Sequence, residues 1–185
     1  SDLVLGATDV LSPGVGLKEG VLVDLAVEHF VPRDFSGEFA SINDACLRLG
    51  RRYHFDEHHG AVVARFAMQL FDDLASHHGL GPRDRILLLA ASLLHDIGDF
   101  VRYEGHHKHS YYVIAHSDIM GLTPAERDLV ANVARYHRKS SPSLEHENFR
   151  GLTREGRSKV KTMAAILRVA DALDREHRSV VGAVK

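Results

Sequence analysis

The chain has 185 residues, 44% of them apolar, which is enough for one sizeable core and no more than one ordinary domain. Its net charge of -2 leaves no basic field for sequence-specific nucleic-acid binding. Its longest apolar run, Ile86 to Leu94, falls far short of the roughly 20 residues a membrane-spanning helix needs. A soluble, cytoplasmic protein is therefore expected. One cysteine, Cys46, excludes an internal disulfide and suits a reducing compartment. The start at Ser1, with no signal sequence, suggests a piece of a longer protein.

In chain order, Leu3-Val4-Leu5 followed by Ser12-Pro13-Gly14 reads as a short strand and a turn. Val21, Leu22, Leu25 and Ala26 place a helix over Lys18 to Phe30, closed by Pro32. A second helix, less cleanly patterned, spans Ser36 to Arg52 on Ala40, Ile42, Ala45, Leu47 and Leu49. Asp56 is a good N-cap for a long helix to about His78, stopped by Gly79, with Val62, Val63, Phe66, Leu70 and Leu74 facing inward. His59 shares that stripe, whereas His58 is turned about 100° away.

Pro82 opens the next helix, which runs into Leu93-Leu94-His95-Asp96-Ile97-Gly98-Asp99 and ends near Gly98. An imidazole next to a carboxylate, directly after an apolar run, is costly unless a cation compensates both. A shorter helix over Glu104 to Asp118 carries four residues, His106-His107-Lys108-His109, of which His109 is three and four before Tyr112 and Val113 and is expected to face the core. Thr123-Pro124-Ala125-Glu126 has the capping-box order, and in the helix it starts His137 follows Val133 by four and Val130 by seven. Ser140 to Gly151 reads as a loop, and Thr153 caps a last helix to about Arg178 with Val160, Met163, Ala164, Leu167 and Asp171 on one face.

The expected fold is thus all-α, a helical bundle without repeats or long linkers. Six polar residues face inward: His59, His95, Asp96, His109, His137 and Asp171. Mixed imidazoles and carboxylates on five helices form a good shell for a divalent transition metal. His59, His95, Asp96 and Asp171 suffice for one ion; His109 and His137 could hold a second, with Asp96 as the bridge. Such donors suit manganese, iron, zinc, cobalt or nickel better than magnesium alone.

This order, H…HD…D with added histidines before the last Asp, resembles the HD superfamily of metal-dependent phosphohydrolases. The segments GLKEGVLVDL at Gly16 to Leu25, LLHDIG at Leu93 to Gly98, HHKHSYYVI at His106 to Ile114, ARYHRK at Ala134 to Lys139 and ADALDR at Ala170 to Arg175 narrow the match. They resemble the C-terminal part of the exopolyphosphatase and guanosine-pentaphosphate phosphatase family. The resemblance implies a chain that lacks the family's N-terminal actin-like phosphatase lobes. Residues 1–17 would then be a remnant of the preceding domain and 18–185 an HD domain. It further implies hydrolysis of a phosphate ester or phosphoanhydride, a polyphosphate or nucleotide substrate, and a role for Asp96 in catalysis.

Lys108, Arg138, Lys139 and Arg175 adjoin the proposed ligands and are candidates to bind phosphate. Asp99 and Asp174, each i+3 from a proposed ligand, could brace ligating histidines. Two other readings fit the same residues: a non-catalytic regulatory, polyphosphate-binding or dimerisation module, and a di-iron oxygenase.

Overall fold

The computed structural model describes residues 36–174. The expected strand, the Lys18 to Phe30 helix, the proposed remnant 1–17 and Arg175 lie outside them. Among the described residues every regular element is helical. In chain order these are α1 (Ser36–Arg52), α2 (Glu57–Asp73), α3 (Ala75–His78), α4 (Pro82–Leu94), a 3-10 turn (Ile97–Phe100), α5 (His106–Ala115), α6 (Pro124–Arg135), α7 (Glu147–Arg150) and α8 (Arg154–Leu173).

Local chemistry sets most of these boundaries. The Asp56 carboxylate accepts the His59 amide at 2.9 Å and starts α2. Pro82 stands at the head of α4, where the Asp84 carboxylate accepts the Gly81 amide at 3.1 Å. Thr123 and Glu126 close a reciprocal capping box on α6, and Thr153 Oγ1 accepts the Gly156 amide at 3.0 Å to begin α8.

Three expected helices are shorter than the sequence suggests, the one over Glu104 to Asp118 being confined to His106–Ala115. The helix begun by Asp56 breaks at Leu74, which is 41% exposed instead of belonging to the inward stripe. The chain kinks there into α3, where the His78 ring packs on Phe71 and its Nε2 donates to the Phe71 carbonyl at 2.8 Å. Gly79 follows at φ 63°. The helix from Pro82 ends at Leu94, four residues before Gly98, and the chain tightens into the 3-10 turn.

Helix α4 is buried on nearly all sides, as its leucine-rich sequence requires, and packs against α1, α2, α6 and α8. Helix α2 also lies on α8, and α5 packs on α6 and on the 3-10 turn. The buried α1 face is Ile42, Ala45, Cys46 and Leu49, with Leu47 partly buried against it, so the cysteine joins the inward stripe and the expected Ala40 is exposed. No helix among the described residues is long and apolar enough to cross a membrane.

Candidate metal centre

The inward polar residues come from helix ends. His59 sits in the first turn of α2 and His106 is the first residue of α5. His95 and Asp96 directly follow α4, His137 follows α6, and Asp171 lies in the last turn of α8. Helix ends are where polar side chains can leave the apolar packing while the helices still fix their positions.

Asp96 stands at the middle of the cluster. Its Oδ2 lies 3.4 Å from His95 Nε2 and 3.9 Å from His59 Nε2. Its Oδ1 lies 3.0 Å from His106 Nε2 and 3.3 Å from His137 Nε2. Asp171 Oδ1 is 3.5 Å from both His59 Nε2 and His95 Nε2. Two donor groups result, His59-His95-Asp96 and Asp96-His106-His137, each with its ligand atoms within 4.8 Å of one another. Donors about 2.1 Å from a tetrahedral ion stand about 3.4 Å apart, so these separations fit a shared cation.

The opposite ring nitrogens are all occupied. His59 Nδ1 meets Asp174 Oδ2 at 2.9 Å, and His95 Nδ1 meets the Ser92 carbonyl at 2.8 Å. His106 Nδ1 lies 2.7 Å from Asp99 Oδ1, and His137 Nδ1 lies 2.6 Å from the Ala134 carbonyl. Acceptors at every Nδ1 hold the proton of a neutral imidazole there, which would turn the four Nε2 lone pairs toward the carboxylates. His106 Nε2 and His137 Nε2 then face each other at 3.3 Å, an arrangement of two acceptors that needs a positive charge between or beside them. His95 Nε2 and Asp96 Oδ1 are buried without a hydrogen bond of good geometry, as expected of atoms shaped for coordination.

The electrostatics agree. Burial alone would raise the Asp96 carboxyl, yet the His95 and His106 imidazoles hold it far below the usual carboxylate range. Asp171 is likewise held low, against burial, by His59 and His95. Burial works to lower His95, but Asp96 and Asp171 push it up to about 10, whereas burial and the neighbouring His95 push His137 down to about 3. The two acids remain ionised, and the positive charge they demand rests on His95 as an imidazolium until a bound cation replaces its Nε2 proton.

Of the six expected inward residues, the fold brings together His59, His95, Asp96, His137 and Asp171. His109 is half-buried and belongs to neither donor group; His106 occupies the place assigned to it. The expectation used Tyr112 as an apolar anchor, but Tyr112 is 63% exposed. The buried face of α5 is His106, His107, Ser110, Val113 and Ile114, and His109 lies to one side of it. Ser110 shares that face, and its hydroxyl accepts the Gly98 amide at 3.0 Å, a contact that no local sequence signal marks. Asp174 and Asp99 do stand behind His59 and His106. Among the basic candidates, Arg138 Nη1 comes within 3.3 Å of His106 Nε2, while Lys108 and Lys139 are exposed.

Comparison with known proteins places the chain in a family. The family described as Ppx/GppA phosphatase, domain III, matches residues 43–183. The chain belongs to that family. Similar proteins of the family include guanosine-5'-triphosphate,3'-diphosphate pyrophosphatases from three bacteria. The Pseudoalteromonas atlantica protein is 29% identical over 122 residues, 65% of this chain and 24% of the relative. The Vibrio campbellii protein is 29% identical over 136 residues, 73% of this chain and 26% of the relative. The Photobacterium profundum protein is 31% identical over 97 residues, covering 52% and 20%. The chain thus spans about a quarter of the length of these curated relatives. Its matched span in the Ppx/GppA family includes every described residue of the metal-site candidates.

Proposed function

We propose that this Ppx/GppA domain is an HD-type metal-dependent phosphohydrolase domain, acting on a phosphate ester or phosphoanhydride such as a polyphosphate or nucleotide. His59, His95, Asp96 and Asp171 would hold one divalent cation, and Asp96, His106 and His137 a second. The observation that carries this reading is the common orientation of the four imidazoles, each anchored through Nδ1 with Nε2 aimed at Asp96 or Asp171. Divalent cations held by these residues would supply a bound water of lowered pKa and positive charge for phosphoryl oxygens. The chain's own contribution is to position the donors through Asp174, Asp99 and two backbone carbonyls, and to offer the Arg138 guanidinium to a phosphoryl oxygen beside His106.

Manganese, iron, zinc, cobalt or nickel suits these donors better than magnesium alone. Elemental analysis of the purified chain, joined to a screen of phosphate esters, tests the proposal. Bound transition metal and metal-dependent phosphate release are expected, with activity reduced at least about a hundredfold in His95→Ala. Unchanged turnover in that variant refutes it. The small share of the relatives that the chain covers favours a second reading, a regulatory or dimerisation module of a larger phosphatase. A folded chain that holds no metal after dialysis and turns over no ester selects that reading.

A further inference from the structure

A second site lies away from the metal-site candidates, on the side of α1 that faces the loop between α5 and α6. There Arg48, Arg52 and Arg127 converge on a cavity of about 490 Å³ with Ala45, Leu49 and Ile119 at its wall. Arg127 is ten residues before His137, so about 15 Å of chain at helical rise separates this cavity from the cluster along α6.

The arginines here differ from those elsewhere in the domain. Arg51, Arg83, Arg85 and Arg102 each meet a carboxylate at 2.6 to 2.8 Å. Among the described residues, Arg48 and Arg52 meet none. They stand i,i+4 on α1, a like-charge pairing that costs free energy until an anion offsets it. Arg127 Nε is buried with no hydrogen-bond acceptor, and Arg127 Nη1 has only long contacts, 3.4 Å to the Ser117 carbonyl and 3.5 Å to Asp118 Oδ1. Asp118 is the one carboxylate at the wall and its side chain is fully exposed. The loop wall itself is held in place. Arg83 Nη2 donates to the Gly121 carbonyl at 2.7 Å, and Gly121, at φ 90°, abuts the Ile42 side chain.

Three guanidiniums against one solvent-facing carboxylate, over an apolar floor and within a volume typical of small-molecule sites, specify an occupant with several negative charges and an apolar body. We infer that this cavity binds a phosphorylated organic anion of nucleoside-diphosphate size, independently of the metal centre. Phosphate oxygens would take the fork of Arg48 and the exposed edge of Arg127, and the organic part would cover Met120, which is 68% exposed at the same wall.

The test is calorimetric titration of the full chain, with EDTA present so that the metal centre contributes nothing. The probes are adenosine 5'-diphosphate and inorganic pyrophosphate. Adenosine 5'-diphosphate should bind about tenfold more tightly than pyrophosphate, because only it reaches Met120. Arg48→Gln, an exposed change that leaves the core intact, should weaken its binding about tenfold, and Arg127→Gln at least as much. His95→Ala should leave it unchanged. Equal affinity for the two probes, no binding, or affinity unaltered by Arg48→Gln overturns the inference.

Discussion

A histidine becomes a candidate ligand through its second nitrogen. His106 and His109 differ by three positions on one helix, yet only His106 has a carboxylate, Asp99, 2.7 Å behind Nδ1 and Asp96 3.0 Å ahead of Nε2. If the second donor group holds a cation, His106→Ala should remove one of two bound metals, or weaken its binding at least about tenfold, and His109→Ala should leave stoichiometry and affinity unchanged. Metal titration of the two variants reads the difference, and loss in His109→Ala with retention in His106→Ala reverses the assignment. The adjacency of His95 and Asp96, and the i+4 and i+7 relations of His137 and Asp171 to apolar neighbours, were legible without coordinates. His106 was not, because Tyr112 looks apolar in a periodicity argument and in the fold points to solvent. The braces Asp174 and Asp99 were legible as i+3 neighbours, although which imidazole each one meets depends on helices distant in sequence.

Between residues and fold stands the close approach of the 3-10 turn to α5. Gly98 has a negative φ, so its need for glycine is one of space: a Cβ there would overlap the His106 carbonyl oxygen and the Ser110 amide nitrogen. Both of those are backbone atoms of the helix that carries a candidate ligand, so neither can rotate away. Gly98→Ala should destabilise the domain by about 2–4 kcal/mol, in the range of strongly overpacked core changes, and should separate His106 from Asp96. A thermal melt checks the first effect and metal titration the second; a melt indistinguishable from the parent would show that the turn and α5 are not in backbone contact. Helix starts were legible in this way too, since Asp56, Pro82, Thr123 and Thr153 are chemical signals local to the chain. The break at Leu74 was not, because whether a leucine is covered depends on what the rest of the fold brings to it.

At the scale of the described domain, Arg83 ties three helices together away from the metal-site candidates. From α4 its Nη1 reaches Glu38 of α1 at 2.8 Å, its Nε and Nη2 hold Glu126 of α6 at 2.7 and 2.9 Å, and Nη2 also takes the Gly121 carbonyl. The paired hydrogen bonds from Arg83 push the Glu126 carboxyl down to about 2 against the opposing effect of burial, with Thr123 assisting. An unfolded chain titrates the same group near 4.3. A carboxyl whose folded pKa is depressed contributes stability that is fully present above the unfolded value and is lost as pH falls through the folded one. The window is therefore about pH 4.5 down to about 2. Because the pair is partly exposed, solvent screening leaves about 1–2 kcal/mol of the shift as stability. Glu126→Gln should lower the urea-unfolding free energy by that amount at pH 6, and the gap to the parent should close as pH approaches 2. A gap of constant size across the range would mean that Glu126 acts through its shape at the α6 cap and not through its charge, and the electrostatic tie between α4 and α6 would have to be abandoned.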